Sequence, residues 1–150
     1  MNHDVHDDHD DRRSSSQGYR MRLPSPLTPD EERVMGETIG SSMRVHRVLG
    51  PGYLESIYTS ALCLELTARG IPFERERSIS VDYCGTLIPG QRVDLIVAGL
   101  VIVEVKAVVR FDPIFEAKLI SYLRTAGLRA GLLVNFHEML LKNGLKRVVL

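Results

Sequence analysis

Two apolar runs that meet at Ala98–Gly99 constrain the fold of this chain more than any other stretch. Residues 93–97 and 100–105 are rich in Val, Ile and Leu, which favour strands, and a glycine between them favours a tight reversal. The stretch therefore predicts a β-hairpin. Three charged residues stand where its strands need apolar ones: Asp94, Glu104 and Lys106. Because burying an unpaired charge is costly, each needs a partner or a chemical role.

The length of the hairpin loop decides whether these charges meet, since successive strand residues point to opposite faces of a sheet. A two-residue turn at residues 98–99 would pair Asp94 with Val103 and separate the two carboxylates. A three-residue loop at 98–100 pairs Asp94 with Glu104, and a glycine suits either loop. We predict the three-residue loop, because the shorter one leaves a carboxylate on the other face without explanation.

Helices and further strands are predicted on both sides of the hairpin. Thr28-Pro29-Asp30-Glu31 combines a capping Thr, a Pro at the first helical position and a Glu three residues after the cap, which is typical of a helix start. The predicted helices are residues 28–48, 53–68 and 113–126, and the predicted strands are residues 73–83, 87–97, 100–109, 131–136 and 145–149. The order is α-α-β-β-β-α-β-β, and the strand at 100–109 is apolar on both faces, which favours a central position.

The second predicted helix carries two acidic residues on its apolar side. Its apolar arc contains Leu54, Ile57, Tyr58, Ala61, Leu62, Leu64, Leu66 and Ala68, and its polar arc contains Ser56, Thr59, Ser60, Cys63 and Thr67. Glu55 falls between Leu62 and Leu66, and Glu65 falls near the centre of the apolar arc. We expect Tyr58 in the core and a structural ion pair at Glu65, while Glu55 needs a cation, a metal or a hydrogen-bond network.

Composition limits the class of protein. The 150 residues hold 19 Lys and Arg against 19 Asp and Glu, so any nucleic-acid binding must come from a local patch. Two cysteines and no secretory or membrane-spanning stretch predict a cytoplasmic protein with reduced thiols. Residues 1–27 are predicted to be a disordered polar tail, with Met21 as an alternative start, and residues 28–150 to be the folded domain.

The three charges of the hairpin suit phosphodiester chemistry. Asp94 and Glu104, with a backbone carbonyl between them, offer hard oxygen ligands for Mg²⁺ or Mn²⁺. Lys106 would position a water or offset negative charge on a phosphate. The competing interpretation is a structural network of ion pairs. Arg92 either contacts phosphate or pairs with Asp94, and the sequence does not choose between these roles.

Several motifs, in order along residues 33–150, resemble a known family. They are Gly52-x-x-Glu55-x-x-Tyr58, Ala61-Leu62, Glu65-Leu66, Arg92-Val93-Asp94-Leu95, Glu104-Val105-Lys106, Ser121-Tyr122-Leu123 and residues 131–136. The chain resembles the GxxExxY family, which is grouped with the PD-(D/E)XK nuclease-like superfamily. The resemblance implies an α/β fold with a restriction-endonuclease-like α-β-β-β-α-β core, a mixed central sheet flanked by helices, and Mg²⁺-dependent phosphodiester cleavage.

The resemblance also implies roles for single residues. Glu55 matches the acidic residue of the first helix that helps hold metal or its water. Asp94 and Glu104 match the metal carboxylates, and Lys106 matches the catalytic lysine. The implied metal ligands are therefore Glu55, Asp94 and Glu104.

The third helix departs from the family pattern. Phe115 and Lys118 stand where family members often carry a His and a Gln, and Val93 stands where the superfamily name has Pro. Lys118 is still a candidate catalytic residue through contact with a phosphate or with Glu104.

Three functions follow from this sequence. The favoured one is a metal-dependent nuclease that hydrolyses phosphodiester bonds in nucleic acid. An alternative is a non-catalytic interaction module that keeps the nuclease fold, which the neutral charge and the altered third helix favour. A third is a toxin-like or defence partner that acts within a complex, so a homodimer or a protein partner is expected alongside nucleic acid.

Overall fold

The chain folds around a mixed five-stranded sheet, and a computed structural model describes residues 25–150. The elements are α1 (Pro29–Leu49), α2 (Glu55–Ala68), β1 (Phe73–Tyr83), β2 (Thr86–Val97), β3 (Val101–Lys106), α3 (Pro113–Ala126), β4 (Ala130–Asn135), a 3₁₀ turn (Leu141–Gly144) and β5 (Leu145–Val149). This order confirms the predicted fold class. Most of the predicted tail, residues 1–24, lies outside the described residues, whereas Leu27 is only 7% exposed and packs in the core.

The sheet runs in the order β1-β2-β3-β4-β5, with β3 and β4 parallel and the other neighbours antiparallel. Helices α1 and α2 contribute to the apolar core on one face, and α3 contributes to the core on the other. β3 therefore lies in the middle of the sheet with both faces covered, as its apolar sequence predicts. Among residues 25–150, no helix is both long enough and apolar enough to cross a membrane.

The hairpin between β2 and β3 has the predicted three-residue loop. Val97 pairs with Val101 and Leu95 with Val103, so the loop consists of residues 98–100. Ala98 and Gly99 adopt φ values of 52° and 66°, and Leu100 N–H donates to Val97 O at 3.0 Å. Continuing this register brings Asp94 opposite Glu104, which confirms the pairing expected from the sequence.

Local signals place the helices as expected. Thr28 Oγ1 accepts from Glu31 N–H at 3.1 Å, and Thr28 N–H donates to Glu31 Oε1 at 2.9 Å, which is a complete capping box. Asp112 caps α3 by accepting from Ile114 N–H at 3.0 Å, and Gly127 ends that helix in a left-handed conformation.

The buried face of α2 differs from the prediction. It contains Thr59 and Cys63, which were expected on the polar side, whereas Leu54 and Leu64 are 74% and 72% exposed. Thr59 Oγ1 donates to Glu55 O at 3.0 Å, so this hydroxyl is buried without losing its hydrogen bond. The helix is rotated so that the line through Tyr58, Leu62 and Leu66 meets the core.

Strand β3 is shorter than predicted and ends at Lys106. Beyond it, the side chain of Asn135 captures the backbone of Val108: Oδ1 accepts from Val108 N–H at 3.0 Å and Nδ2 donates to Val108 O at 2.9 Å. At Val108, hydrogen bonds to the Asn135 side chain thus replace the backbone hydrogen bonds of the sheet.

Candidate functional site

Asp94 and Glu104 face each other where β2 and β3 begin to separate. Regular pairing stops at Leu95 and Val103, and the next backbone groups bond to side chains instead. Asp94 N–H donates to Glu104 Oε1 at 3.2 Å, and Val105 N–H donates to Asp94 Oδ2 at 2.8 Å. Each carboxyl group is therefore held through one oxygen, which leaves its second oxygen for another partner.

The surroundings of Glu104 disfavour its negative charge. The residue is 6% exposed, and burial, followed by the charge of Asp94, raises the pKa of its carboxyl to about 8. The N–H of Asp94 and the charge of Lys106 oppose this rise without cancelling it. The site therefore favours a proton, or another positive charge, between its two carboxyl groups at neutral pH.

Glu55 approaches the same pair from the first turn of α2. Partial desolvation, and to a smaller extent the charge of Asp94, raise the pKa of its carboxyl group. The charge of Lys106 and a hydrogen bond from the N–H of Ala107 act in the opposite direction. Glu55 lies on the line of Leu62 and Leu66, as predicted. Because it is the first residue of the helix, the residue as a whole remains exposed while its carboxyl group turns toward the end of β3.

Tyr58 fixes the loop that carries Glu55. Its ring is fully buried and stacks on Phe136 with centroids 4.5 Å apart. Its hydroxyl accepts from Tyr53 N–H at 3.1 Å and donates to Gly50 O. Tyr58 is therefore a core residue, as predicted, and it also holds the chain that leads into Glu55.

Lys106 and two aromatic residues of α3 complete the surroundings of the pair. Nζ of Lys106 lies 4.8 Å from the ring centroid of Phe115. Burial, and then the charges of Glu104 and Asp94, raise the pKa of the Tyr122 phenol. The site thus takes side chains from α2, β2, β3 and α3.

The donor set suits a hard divalent cation only in part. Asp94 and Glu104 offer hard oxygen ligands on facing strands. Glu55 does not close a three-carboxylate set with them, since no group of three or more His, Cys, Asp or Glu within residues 25–150 is arranged to hold a metal. Asp94 and Glu104 would be the ligands of a cation here, and Glu55 would have to turn toward it to join them.

Comparison with known proteins agrees with this geometry. A family model described as the PD-(D/E)XK nuclease superfamily matches residues 32–148. The chain belongs to the PD-(D/E)XK nuclease superfamily. No curated protein and no solved structure matches it. Members of this superfamily generally use divalent metal ions, which agrees with the hard oxygen ligands of Asp94 and Glu104.

Among residues 25–150, neither Lys118 nor Arg92 forms an ion pair with Asp94 or Glu104. Lys118 is exposed on α3 and forms no ion pair with another residue of the described range, so its role at the site stays a prediction. Arg92 lies 4.0 Å from Glu76 across β1 and β2, and both side chains are exposed. Of the two roles that the sequence leaves open for Arg92, pairing with Asp94 is not seen, since the ion pair of Arg92 within residues 25–150 is with Glu76.

The expected structural ion pair at Glu65 is confirmed, and His46 also has a structural contact. Glu65 pairs with Arg44 at 3.8 Å. His46 Nε2 hydrogen-bonds to Glu138 O at 2.7 Å and holds the loop before the 3₁₀ turn.

Tyr122 and Asn135 both stand in motifs shared with the family, but the sequence assigned neither of them a role at the site. Tyr122 is seven residues after Phe115, so both lie on the same face of α3, and this spacing was the available signal. Asn135 is fully buried and pairs with Lys106 across β3 and β4. A polar residue at the end of an apolar strand was the signal in that case.

Proposed function

We propose that this protein is a metal-dependent nuclease that hydrolyses phosphodiester bonds in nucleic acid. The observation that carries the proposal is the face-to-face pair of the half-buried Asp94 and the buried Glu104, with Lys106 two residues after Glu104 on β3. A structural ion-pair network would match negative groups with positive ones at contact distance. Here each carboxyl group accepts from a backbone N–H of the facing strand, and burial, followed by the charge of Asp94, raises the pKa of Glu104 more than Lys106 lowers it.

Each of the four site residues has a defined role in this proposal. Bound Mg²⁺ or Mn²⁺ would supply a Lewis acid and activate water. Asp94 and Glu104 supply ligands and orient them through the backbone N–H groups of β2 and β3. Lys106 directs its ammonium group at negative charge that develops on the phosphate. Glu55 accepts a hydrogen bond from the attacking water or joins the ligand set.

We also propose that the chain is of the GxxExxY type within the superfamily. The structure supports this through the parts played by its motif: Gly52 adopts φ 111° in the turn before α2, Glu55 begins the helix at the site, and Tyr58 locks the turn from inside the core. The motif therefore positions the carboxylate of Glu55 near the end of β3.

Metal binding is the first test. Calorimetry with Mg²⁺ or Mn²⁺ should show binding heat for the wild type, and Asp94→Asn and Glu104→Gln should each abolish it because one ligand charge is lost. Asp30→Asn removes an exposed carboxylate at the start of α1 and is the matched control, so it should bind as the wild type does. Equal titration curves for the wild type and the two site variants would contradict the proposal.

Cleavage is the second test. Labelled single-stranded and double-stranded DNA and RNA are incubated with protein and Mn²⁺, and products are separated by length. Lys106→Met should lower the cleavage rate by at least about a hundredfold, because a preorganised positive group is worth roughly 3 kcal/mol in the transition state. It should leave the metal affinity and the melting temperature nearly unchanged. A large fall in melting temperature at full activity would mark Lys106 as structural instead.

A non-catalytic interaction module is the second candidate, and exposed apolar side chains favour it. Leu54, Ile57 and Leu64 on α2 and Met139 before the 3₁₀ turn are all at least 44% exposed. Such side chains are enriched where a protein partner or a second copy docks. Metal binding without cleavage of any of the four nucleic acids, together with a stable dimer in light scattering, would favour this candidate.

A further inference from the structure

The backbone of Lys106 is fixed by contacts with β4 and the residue that follows it. Its carbonyl oxygen accepts from Phe136 N–H at 2.9 Å, and it pairs with Asn135 across the parallel strands β3 and β4. Asn135, which is fully buried, holds Val108 two residues further on through both its N–H and its C=O. The position of the ammonium group therefore depends only on the four torsions of the flexible lysine side chain.

No carboxylate holds that ammonium group by direct contact. Lys106 lowers the pKa of both Glu55 and Glu104, so its charge reaches them, yet it forms no ion pair within 4.0 Å among residues 25–150. The group packed against it is the ring of Phe115, whose centroid lies 4.8 Å from Nζ. This distance is within the range of a cation–π interaction.

The Phe115 ring is itself held in place. Asp112 and Pro113 fix the first turn of α3, and the ring of Phe111 meets Phe115 edge-on, with centroids 6.0 Å apart and planes at 68°. Phe115 is half-buried and packs against the apolar core between α3 and the sheet. Its face therefore offers Lys106 a stable surface.

We propose that Phe115 is a positioning residue, which holds the Lys106 ammonium group beside the Asp94–Glu104 pair by a cation–π interaction. An aromatic face attracts the cation without neutralising its charge or using its N–H donors in strong hydrogen bonds. A salt bridge to Glu55 would do both, and a phosphate would then have to compete with that carboxylate. The catalytic consequence of this arrangement rests on the proposed nuclease activity, whereas the contact itself does not.

The contact is tested by NMR of protein labelled with ¹³C-lysine. In the wild type, the aromatic ring current should move the Cε–H signals of Lys106 upfield of ordinary lysine signals. Phe115→Leu should return them to the ordinary position, and Phe115→Tyr, which keeps the ring, should not. Lys142 on the far 3₁₀ turn is the internal reference, and identical Lys106 signals in the wild type and Phe115→Leu would overturn the proposal.

The catalytic consequence is tested in the cleavage assay. Phe115→Leu should lower kcat by roughly three- to thirtyfold, with KM and Mn²⁺ affinity unchanged, and Phe115→Tyr should restore most of the rate. In a Lys106→Met background, Phe115→Leu should cause no further loss, because the two residues act through one interaction. A purely structural Phe115 would lower the rate in both backgrounds, which would refute its positioning role.

The outcomes separate the two proposals. If the wild type cleaves and Phe115→Leu cleaves equally fast, the positioning role is wrong while the nuclease proposal stands. If the wild type and Lys106→Met are equally inactive on every substrate, the nuclease proposal is wrong, and the NMR measurement still decides whether Phe115 holds Lys106.

Discussion

Glu104 makes the stability of the protein depend on pH, because its carboxyl group is buried beside Asp94. Its pKa is about 8 in the folded state, against an ordinary value of 4.5. Below pH 4.5, Glu104 is protonated in both the folded and the unfolded chain and causes no penalty. Between pH 4.5 and 8, the unfolded chain loses the proton while the folded chain keeps it, so the free energy of unfolding falls as pH rises.

Glu104→Gln should remove this pH dependence, since glutamine has nearly the same shape and cannot ionise. Without metal, the variant should be more stable than the wild type above pH 8, by an amount on the order of a few kcal/mol. Urea unfolding followed by circular dichroism between pH 4.5 and 9 measures it.

Glu74→Gln, at an exposed position on β1, provides the control and should keep the slope of the wild type. If Glu104→Gln shows that same slope, the source of the pH dependence is another group. Metal binding should follow the opposite trend, strengthening as pH rises through about 8, because the proton and the cation compete for Glu104.

The hairpin of β2 and β3 is the element that creates the site, and its loop contains a strained position. Ala98 has φ 52°, a left-handed conformation that costs a residue with a Cβ atom about 1 kcal/mol relative to glycine. The register therefore depends on a loop that places a strained Ala98 next to Gly99, which adopts its φ of 66° without a Cβ clash.

Ala98→Gly should raise the free energy of unfolding by about 0.5 kcal/mol, since relief of strain exceeds the added freedom of the unfolded chain. Gly99→Ala, with φ 66° at its position, should lower it by about 1 kcal/mol. Chemical denaturation measures both, and the metal affinity of Ala98→Gly should equal that of the wild type because the register is kept. A destabilised Ala98→Gly would show that the methyl group of Ala98 contributes packing that outweighs the strain.

Local chemistry explains which elements were predictable from the sequence. The capping residues Thr28 and Asp112 fixed the starts of α1 and α3, and the charge pattern of the hairpin fixed the loop at residues 98–100. The capping signals depend on neighbours two or three residues away, and the hairpin signal depends on two charges that are only 10 residues apart.

Tertiary contacts explain what was not predictable. The apolar arc of α2 is so broad that the sequence did not determine its rotation, and Cys63 rather than Leu64 entered the core. Phe115 and Tyr122 reach the site only because α3 docks across β3, a placement that no local pattern encodes. The orientation of Glu55 likewise depends on Tyr58 meeting Phe136.

The molecule as a whole consists of two apolar cores, one on each face of the sheet, and the site lies where β2 and β3 diverge between them. The first core extends back beyond α1 to Leu27. Arg129, next to β4, donates to Pro26 O at 2.7 Å, and Arg147 of β5 pairs with Glu32 at 2.7 Å. The start of the domain is thus tied to the strands that end it.

Leu27 should therefore contribute to global stability, although the sequence placed it in a polar tail. Leu27→Ala should lower the free energy of unfolding by about 2–3 kcal/mol, because it removes a side chain that is 93% buried and leaves a cavity beside α1. Leu64→Ala makes the same chemical change at a position that is 72% exposed and should shift stability by no more than about 0.5 kcal/mol. Parallel urea titrations of the two variants measure the difference. Equal stabilities would mean that the segment at 25–28 does not pack on the core in solution, and the folded domain would then begin at the capping box of α1.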